Sequence, residues 1–284
     1  MIYKKMRSPI VLKDKVIVVT GAGGVLCSEF ARHYAELGAK VALLNRSTER
    51  IVKLEKELTE KGLIGKAYGC DVLDKERLAV VHKEIIRDLG PVDILVNGAG
   101  GNMDMANTGN EYHELELDPS VRSFFALDSS SISNVFTLNF MGTLLPCQEF
   151  ASDMVGKEGC SILNVSSMAS YNPLTKVLGY SAAKSAVNNL TSWLAVHFSH
   201  VGIRVNAVAP GFFSTAQNKS LLFDKDGNWS ARSKKIIDGT PMGRFGIPED
   251  LLGTITYLVD SSMSGFVTGV IIPVDGGFNV YSGV

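Results

Sequence analysis

Short apolar runs alternate with longer stretches of helical periodicity along most of the chain. Residues 15–20 (KVIVVT) are too short and too uniformly apolar for a helix and read as a strand buried on both faces. A glycine turn follows, Gly21-Ala22-Gly23-Gly24, and then a helical pattern from Val25 to Leu37 closed by Gly38. The next strand is Lys40 to Leu44. The rhythm continues with strands over 66–72 and 92–100 and a helix over 74–90 between them. A helical segment then leads to the strand SILNVSS at 161–167, followed by a helix over 181–198 and a strand over 203–211. Strands alternating with helices of this length predict an α/β fold, a doubly wound parallel sheet with helices on both faces. No linker or composition break divides residues 1–284, which read as a single domain.

Two stretches interrupt the rhythm. Residues 101–133 are polar with weak periodicity, and 212–240 include the turn-rich FDKDGNW. Both leave carboxyl ends of predicted strands, where ligands bind in such sheets, and long irregular segments there are commonly lids or binding loops.

Composition narrows the function. The 28 basic and 29 acidic residues give a net charge of −1, with no basic block, which argues against nucleic acid or an anionic membrane surface as partner. The first residues, MIYKKMRSPIVLKDK, lack a signal-peptide core, and no run of eighteen apolar residues occurs, so a cytoplasmic protein is expected. Four cysteines, Cys27, Cys70, Cys147 and Cys160, form no CxxC and read as small buried side chains. His197 and His200 lack a third ligand nearby, so no metal site is assigned.

Candidate chemistry lies in three places. The turn after the first strand suits a dinucleotide diphosphate: glycine lets the backbone approach, and the opening helix offers free amides and a favourable dipole. As GxGxxG it is incomplete, with Leu26 at the third position, and Cys27 is expected at the close helix–sheet contact. The second strand ends in Leu44-Asn45-Arg46, with no acid for a ribose hydroxyl and an Arg suited to a 2′-phosphate. NADP(H) is therefore favoured over NAD(H), unless Arg46 is merely solvated and Asn45 serves NAD. The third place holds Ser167, Tyr180 and Lys184. Tyr180 and Lys184, four apart on a helix, share a face, and a neighbouring cation favours the phenolate. A Tyr, with a pKa of about 10 in isolation, then becomes an acid or base near working pH. Ser167 ends a buried strand thirteen residues before Tyr180. Alone, a YxxxK pair is commonly only a surface pair.

Together these features resemble the short-chain dehydrogenase/reductase family along nearly the whole length. Matching residues are Thr20-Gly21, Asp71-Val72, Asn97-Gly98-Ala99-Gly100 (a near-match to NNAG), Asn139, Ser167, Tyr180, Lys184, Pro210-Gly211, Thr215 and Asp275-Gly276-Gly277. Val25 and Cys27 occupy the last two glycine positions of the family's TGxxxGxG turn. The resemblance implies a Rossmann-type sheet and a tetrad of Asn139, Ser167, Tyr180 and Lys184. In it Tyr180 is the acid or base and Ser167 orients the reacting oxygen. Lys184 holds the nicotinamide ribose, and Asn139 holds a water linking Lys184 to solvent. It further implies cofactor contacts from Gly21, Gly23, Gly24, Val25, Leu26, Asn45, Arg46, Asp71, Val72, the 97–100 run, Pro210, Gly211 and Thr215. A homotetramer or homodimer is implied too, through the helix after Tyr180 and the C-terminal segment. Trp193, Val196 and Phe198 on that helix could equally be core.

The TGAGGVLC turn, the run 99–102, PMGRFG and the tail GGFNVYSGV resemble a narrower branch, the D-mannonate oxidoreductases or fructuronate reductases of hexuronate breakdown. A sugar-acid substrate needs a donor for its carboxylate. Lys176, Asn102 and Gln217 are candidates, and Ser167, Met168 and Tyr180 are expected to touch the substrate. Arg122 could be ligand or scaffold, and Arg244 reads as structural. The same chemistry on gluconate or another polyol, or a non-catalytic NADP-binding sensor, are the rival readings.

Overall fold

Along β1 (Val16–Thr20) the side chains alternate between two cores, Val16 and Val18 into one and Ile17 and Val19 into the other. A strand covered on both faces needs this uniform apolarity. The computed structural model describes residues 12–214, 222, 223, 225 and 228–283. Among them six further strands join β1 in one parallel sheet: β2 Lys40–Asn45, β3 Ile64–Gly69, β4 Ile94–Asn97, β5 Ser161–Val165, β6 Arg204–Pro210 and β7 Ile271–Val274. Their order is β3-β2-β1-β4-β5-β6-β7.

Helices α1 (Val25–Glu36) and α2 (Thr48–Glu60) cover one face; α3 (Lys75–Asp88), α4 (Ser129–Phe150) and α5 (Leu178–His197) cover the other. Helix α1 buries Cys27, Phe30, Ala31, Tyr34 and Ala35, the stripe that a 3.6-residue period puts on one side. Phe30, wholly buried, contributes roughly 1.5–3 kcal/mol of burial energy. Gly38, at φ +88°, takes the left-handed turn just past the end of α1. Asp74 caps α3 by accepting from the Arg77 amide (2.9 Å).

The two irregular stretches are shorter than expected. The first ends before α4, because Asp128 accepts from the amides of Ser130 and Ser131 and starts the helix at Ser129 rather than after residue 133. The second contains a helix, α6 (Ala231–Asp238), capped by Ser230. Among the elements outside the periodicity read from the sequence are α2, α7 (Leu252–Val259) and β7. Strand β7 carries Pro273 and is only half-buried, which suits a sheet edge and hides it from a pattern search. Helix α7 joins α1 and α2 on their face of the sheet through Ile255, Leu258 and Val259.

From β1 the chain builds outward to β2 and β3, then returns to the opposite side at β4. Such a reversal opens a crevice at the carboxyl ends of the adjoining strands. Thr20 pairs with Asn97, and Asn97 with Asn164, so the ends of β1, β4 and β5 lie level beside it.

Candidate active site

The crevice is a cavity of about 370 Å³. Gly21 sits at φ +68°, and a Cβ there would lie 2.8 Å from the Gly98 carbonyl oxygen and 2.9 Å from the Ala99 backbone. The turn and the end of β4 thus approach to backbone contact, which only glycine permits. Thr20, buried at the end of β1, fixes that approach: its Oγ1 accepts from the amides of Gly98 (3.1 Å) and Ala99 (3.2 Å). Gly24 precedes α1 with extended backbone and no side-chain cap, and the first turn carries no acid. Its amides are a ready anion site.

Ten residues expected to meet a cofactor line this one cavity: Gly21, Gly23, Gly24, Asn45, Arg46, Asp71, Val72, Gly98, Ala99 and Gly100. Val25 and Leu26 form the first turn of α1. Asn97 is buried beneath, its Nδ2 donating to Asn164 Oδ1 (2.9 Å). Pro210 ends β6, followed by Gly211. Thr215 and Gln217 lie outside the described residues. Sequence reasoning missed Arg50, which lines the cavity beside Arg46 with its Nη1 3.4 Å from the Gly23 carbonyl. Arg50 lies on the first turn of α2, a helix the sequence periodicity did not reveal, so no local signal pointed to it. One departure from the family's turn, Cys27, meets the departure in the 97–100 run here: a Cβ on Gly98 would lie 2.0 Å from Cys27 Sγ, so the larger residue on α1 is matched by the smaller one just past β4.

The four tetrad residues converge at the far end of the crevice. Lys184 Nζ lies 5.7 Å from the centre of the Tyr180 ring and donates to the Val165 carbonyl (2.8 Å). Ser167 hydrogen-bonds Tyr180, and its Oγ accepts from the Ala169 amide (3.1 Å). Asn139 Nδ2 donates to the carbonyls of Gly101 (2.7 Å) and Val135 (2.8 Å). A Cβ on Gly100 would come within 2.6 Å of Asn139 Oδ1 and 3.4 Å of Lys184 Nζ, so glycine lets these two side chains flank the strand end.

The electrostatics correct one expectation. Burial raises the Tyr180 pKa, and the Ser167 hydrogen bond opposes it; the phenol is not pulled down by Lys184. Burial also pushes the Lys184 ammonium down to about 8, with Cys27 opposing. Desolvation outweighs the i, i+4 attraction because Lys184 is buried and Tyr180 half-buried among the surrounding elements. The site therefore presents a neutral phenol, an acid able to donate.

The family model for short chain dehydrogenase matches residues 15–226. An uncharacterized oxidoreductase of Haemophilus influenzae is 52% identical over 96% of both chains. The uncharacterized oxidoreductase UxuB of Bacillus subtilis is 50% identical, over 96% of this chain and 98% of its own. A crystal structure of a provisionally assigned D-mannonate oxidoreductase from Haemophilus influenza, with bound NAD, superposes with a TM-score of 0.94. It is 51% identical, over 96% of this chain and 98% of that one. A gluconate 5-dehydrogenase from Burkholderia cenocepacia, in complex with NADP and tartrate, superposes at 0.81 with 26% identity, over 96% and 98%.

The chain belongs to the short-chain dehydrogenase family.

This short-chain dehydrogenase is an NAD(P)-dependent oxidoreductase acting on CH–OH groups. The residues present fit a dinucleotide: a turn whose Gly21 excludes a Cβ, an uncapped helix N-terminus, and two cations, Arg46 just past β2 and Arg50 at the start of α2. No cluster of three metal-ligating side chains exists among the described residues. No helix among them is long and apolar enough to cross a membrane. All four cysteines are buried and free.

The residues considered for the substrate end of the dehydrogenase are scattered. Met168 is buried beneath Ser167, and Asn102 is exposed, donating to Asn107 Oδ1 (3.0 Å). The Lys176 ammonium donates to the Gly109 carbonyl (2.8 Å). Arg122 donates to the carbonyls of Asp104 (2.6 Å) and Asn107 (3.1 Å) and so holds the irregular stretch together. Arg244 pairs with Asp250 through two bonds (2.7 and 3.0 Å), a structural role. Trp193 and Val196 on α5 are exposed, whereas Phe198 packs on the core.

Proposed function

We propose that this cytoplasmic enzyme interconverts a keto sugar acid and its hydroxy form, D-fructuronate and D-mannonate, with NADP(H) favoured and NAD(H) accepted. The observation that carries the substrate is the likeness, at 51% identity over nearly the whole chain, to the structure provisionally assigned as a D-mannonate oxidoreductase. Arg46 just past β2 and Arg50 on the first turn of α2, with no acid beside Asn45, support NADP(H). The apolar exposed face of α5, with Trp193 and Val196, supports a homodimer or homotetramer.

The bound nicotinamide would supply the hydride to the carbonyl carbon. The chain's residues do the rest. Gly21, Gly23, Gly24 and the first amides of α1 would hold the diphosphate. Asp71 and Val72 would meet the adenine, and Asn97 to Gly100, Pro210 and Gly211 would meet the nicotinamide half. Ser167 donates to the reacting oxygen and orients it, and Tyr180 gives its phenolic proton to that oxygen. Lys184, with a pKa of about 8, is poised to hold a ribose hydroxyl and to favour the phenolate left behind. Asn139 holds the Gly101 carbonyl and, with Lys184, flanks Gly100. In oxidation the steps reverse and the phenolate takes the proton. Asn102, Ser167, Met168 and Tyr180 would meet the sugar acid.

The test is purified enzyme with D-fructuronate and NADPH or NADH, followed by loss of reduced-cofactor absorbance. No turnover with either cofactor, while another ketone is reduced, would remove the substrate. Tyr180→Phe should lower kcat by about 10²–10⁴-fold, the usual weight of a positioned acid. Arg46→Ser with Arg50→Ser should raise the Kd for NADPH about tenfold or more and leave that for NADH nearly unchanged. A second reading, oxidation at C5 of gluconate or a similar polyol, is favoured by the likeness to the NADP-bound gluconate 5-dehydrogenase, and a parallel assay with gluconate separates the two.

A further inference from the structure

The loop between β5 and α5 carries Ser167 and leads into Tyr180, so its rigidity sets the geometry of both. It is held from two sides. On one, the Tyr171 hydroxyl donates to the Ile271 carbonyl (2.8 Å) and the Asn172 amide to the Asn279 carbonyl (2.8 Å). On the other, the Lys176 ammonium donates to the Gly109 carbonyl (2.8 Å), while the Lys176 carbonyl accepts from the Thr108 amide (3.1 Å). Lys176 adopts φ +73°, a left-handed conformation that few residues other than glycine take. Strain of this kind persists where its surroundings over-determine it, and it points to a role.

Gly109 belongs to the irregular stretch between β4 and α4, which is itself braced. Its amide donates to the Arg122 carbonyl (2.8 Å), and the Arg122 guanidinium reaches back to Asp104 and Asn107. The stretch starts at Gly101, whose carbonyl is held by Asn139 (2.7 Å). Across the carboxyl edge, Glu111 pairs with Lys235 of α6 at 2.9 Å. One segment therefore touches the catalytic Asn, the loop before the catalytic Tyr, and the helix after β6.

We propose that residues 101–128 form the outer wall of the substrate mouth and that Lys176 is a positioning residue that clamps this wall to the catalytic loop. Its ammonium is engaged by Gly109 and is not the ligand of a substrate carboxylate. The inference rests on the oxidoreductase reading of the Ser167–Tyr180 site, but not on which sugar acid is turned over. Without the clamp, substrate must itself order the loop on binding, so KM rises more than kcat falls. The loss is indifferent to substrate charge, because it acts through the loop.

The decisive variant is Lys176→Gly, which suits φ +73° and so removes the ammonium without strain. It is assayed with a sugar acid and with the matching carboxylate-free ketose, beside amide hydrogen exchange across 103–128. The expected result is a KM raised about tenfold for both substrates, the weight of one charge-assisted hydrogen bond. Exchange in 103–128 quickens, dinucleotide Kd is unchanged, and Lys176→Arg recovers part of the loss. Glu111→Lys and Lys235→Glu each quicken exchange, and the exchanged pair restores it. A KM increase confined to the sugar acid, with exchange unaltered, makes Lys176 a carboxylate ligand and overturns the proposal. Unaltered KM and exchange overturn it as well. If the wild type turns over neither substrate, the functional reading fails on its own, and exchange alone decides the clamp.

Discussion

Replacing Lys184 by Met should make the protein more stable while abolishing its activity. Lys184 is 5% exposed, and burial pushes its pKa from 10.5 to about 8. That drop corresponds to roughly 3 kcal/mol of cost in keeping the ammonium inside the fold. The cost is fully present below pH 8. Between pH 8 and 10.5 the folded state binds fewer protons at this site than the unfolded chain, so the wild type gains stability as pH rises through that window. Met has similar length and no charge, but it gives up the bond to the Val165 carbonyl, a loss of about 1 kcal/mol. The variant should therefore be about 2 kcal/mol more stable than the wild type at pH 7. The advantage should shrink through pH 8 to 10.5 and reverse above it. Urea unfolding followed by tryptophan fluorescence at pH 7, 9 and 10.5 measures the difference, in which the other titrating groups largely cancel. A wild-type-minus-variant difference that stays constant with pH would show that Lys184 carries no desolvation cost, and the electrostatic account of the tetrad would go with it. A stabilised, inactive variant is the signature of a residue kept for chemistry.

Gly98→Ala places a Cβ 2.0 Å from Cys27 Sγ and should lower stability by about 1–3 kcal/mol. Adding Cys27→Ala should recover most of it, because the sulfur is what the new Cβ meets; melting temperatures that are simply additive would refute the pairing. His82 is buried between Glu149 (2.9 Å from Nδ1) and Asp153 (3.0 Å from Nε2), tying α3 to α4. His82→Leu should cost about 1–3 kcal/mol by removing the hydrogen bonds to both carboxylates, and an unchanged urea midpoint would count against it. Arg204 is buried, donating to the carbonyls of Leu258 (2.8 Å) and Val259 (3.1 Å) at the end of α7. Arg204→Met should fray that helix first, seen as faster amide exchange at 255–260 than in β6.

The parts of the site that were legible in the sequence are those whose geometry is local. Tyr180 and Lys184 share a face because a helix repeats every 3.6 residues, and both fall on α5. Gly21 follows an apolar run and opens a helix, so its turn could be read without knowing what lies opposite. Arg50 escaped because its relation to the cavity depends on how α2 leaves β2. Strand β7 escaped because an edge strand with a proline carries little of the apolar pattern. The expected depression of the Tyr180 pKa was a local inference, and burial by distant elements reversed it.

Sequence alone determined the alternation of strands and helices, the glycine turn, and the Ser, Tyr and Lys at strand end and helix face. These follow from periodicity and backbone preference over a few residues. The tertiary structure decided what stands against what: Cys27 against Gly98, Lys176 against Gly109, Glu111 against Lys235, and the dryness around Lys184. Those pairings join residues far apart in the chain. Desolvation depends on everything packed around a group, and no local pattern carries that information.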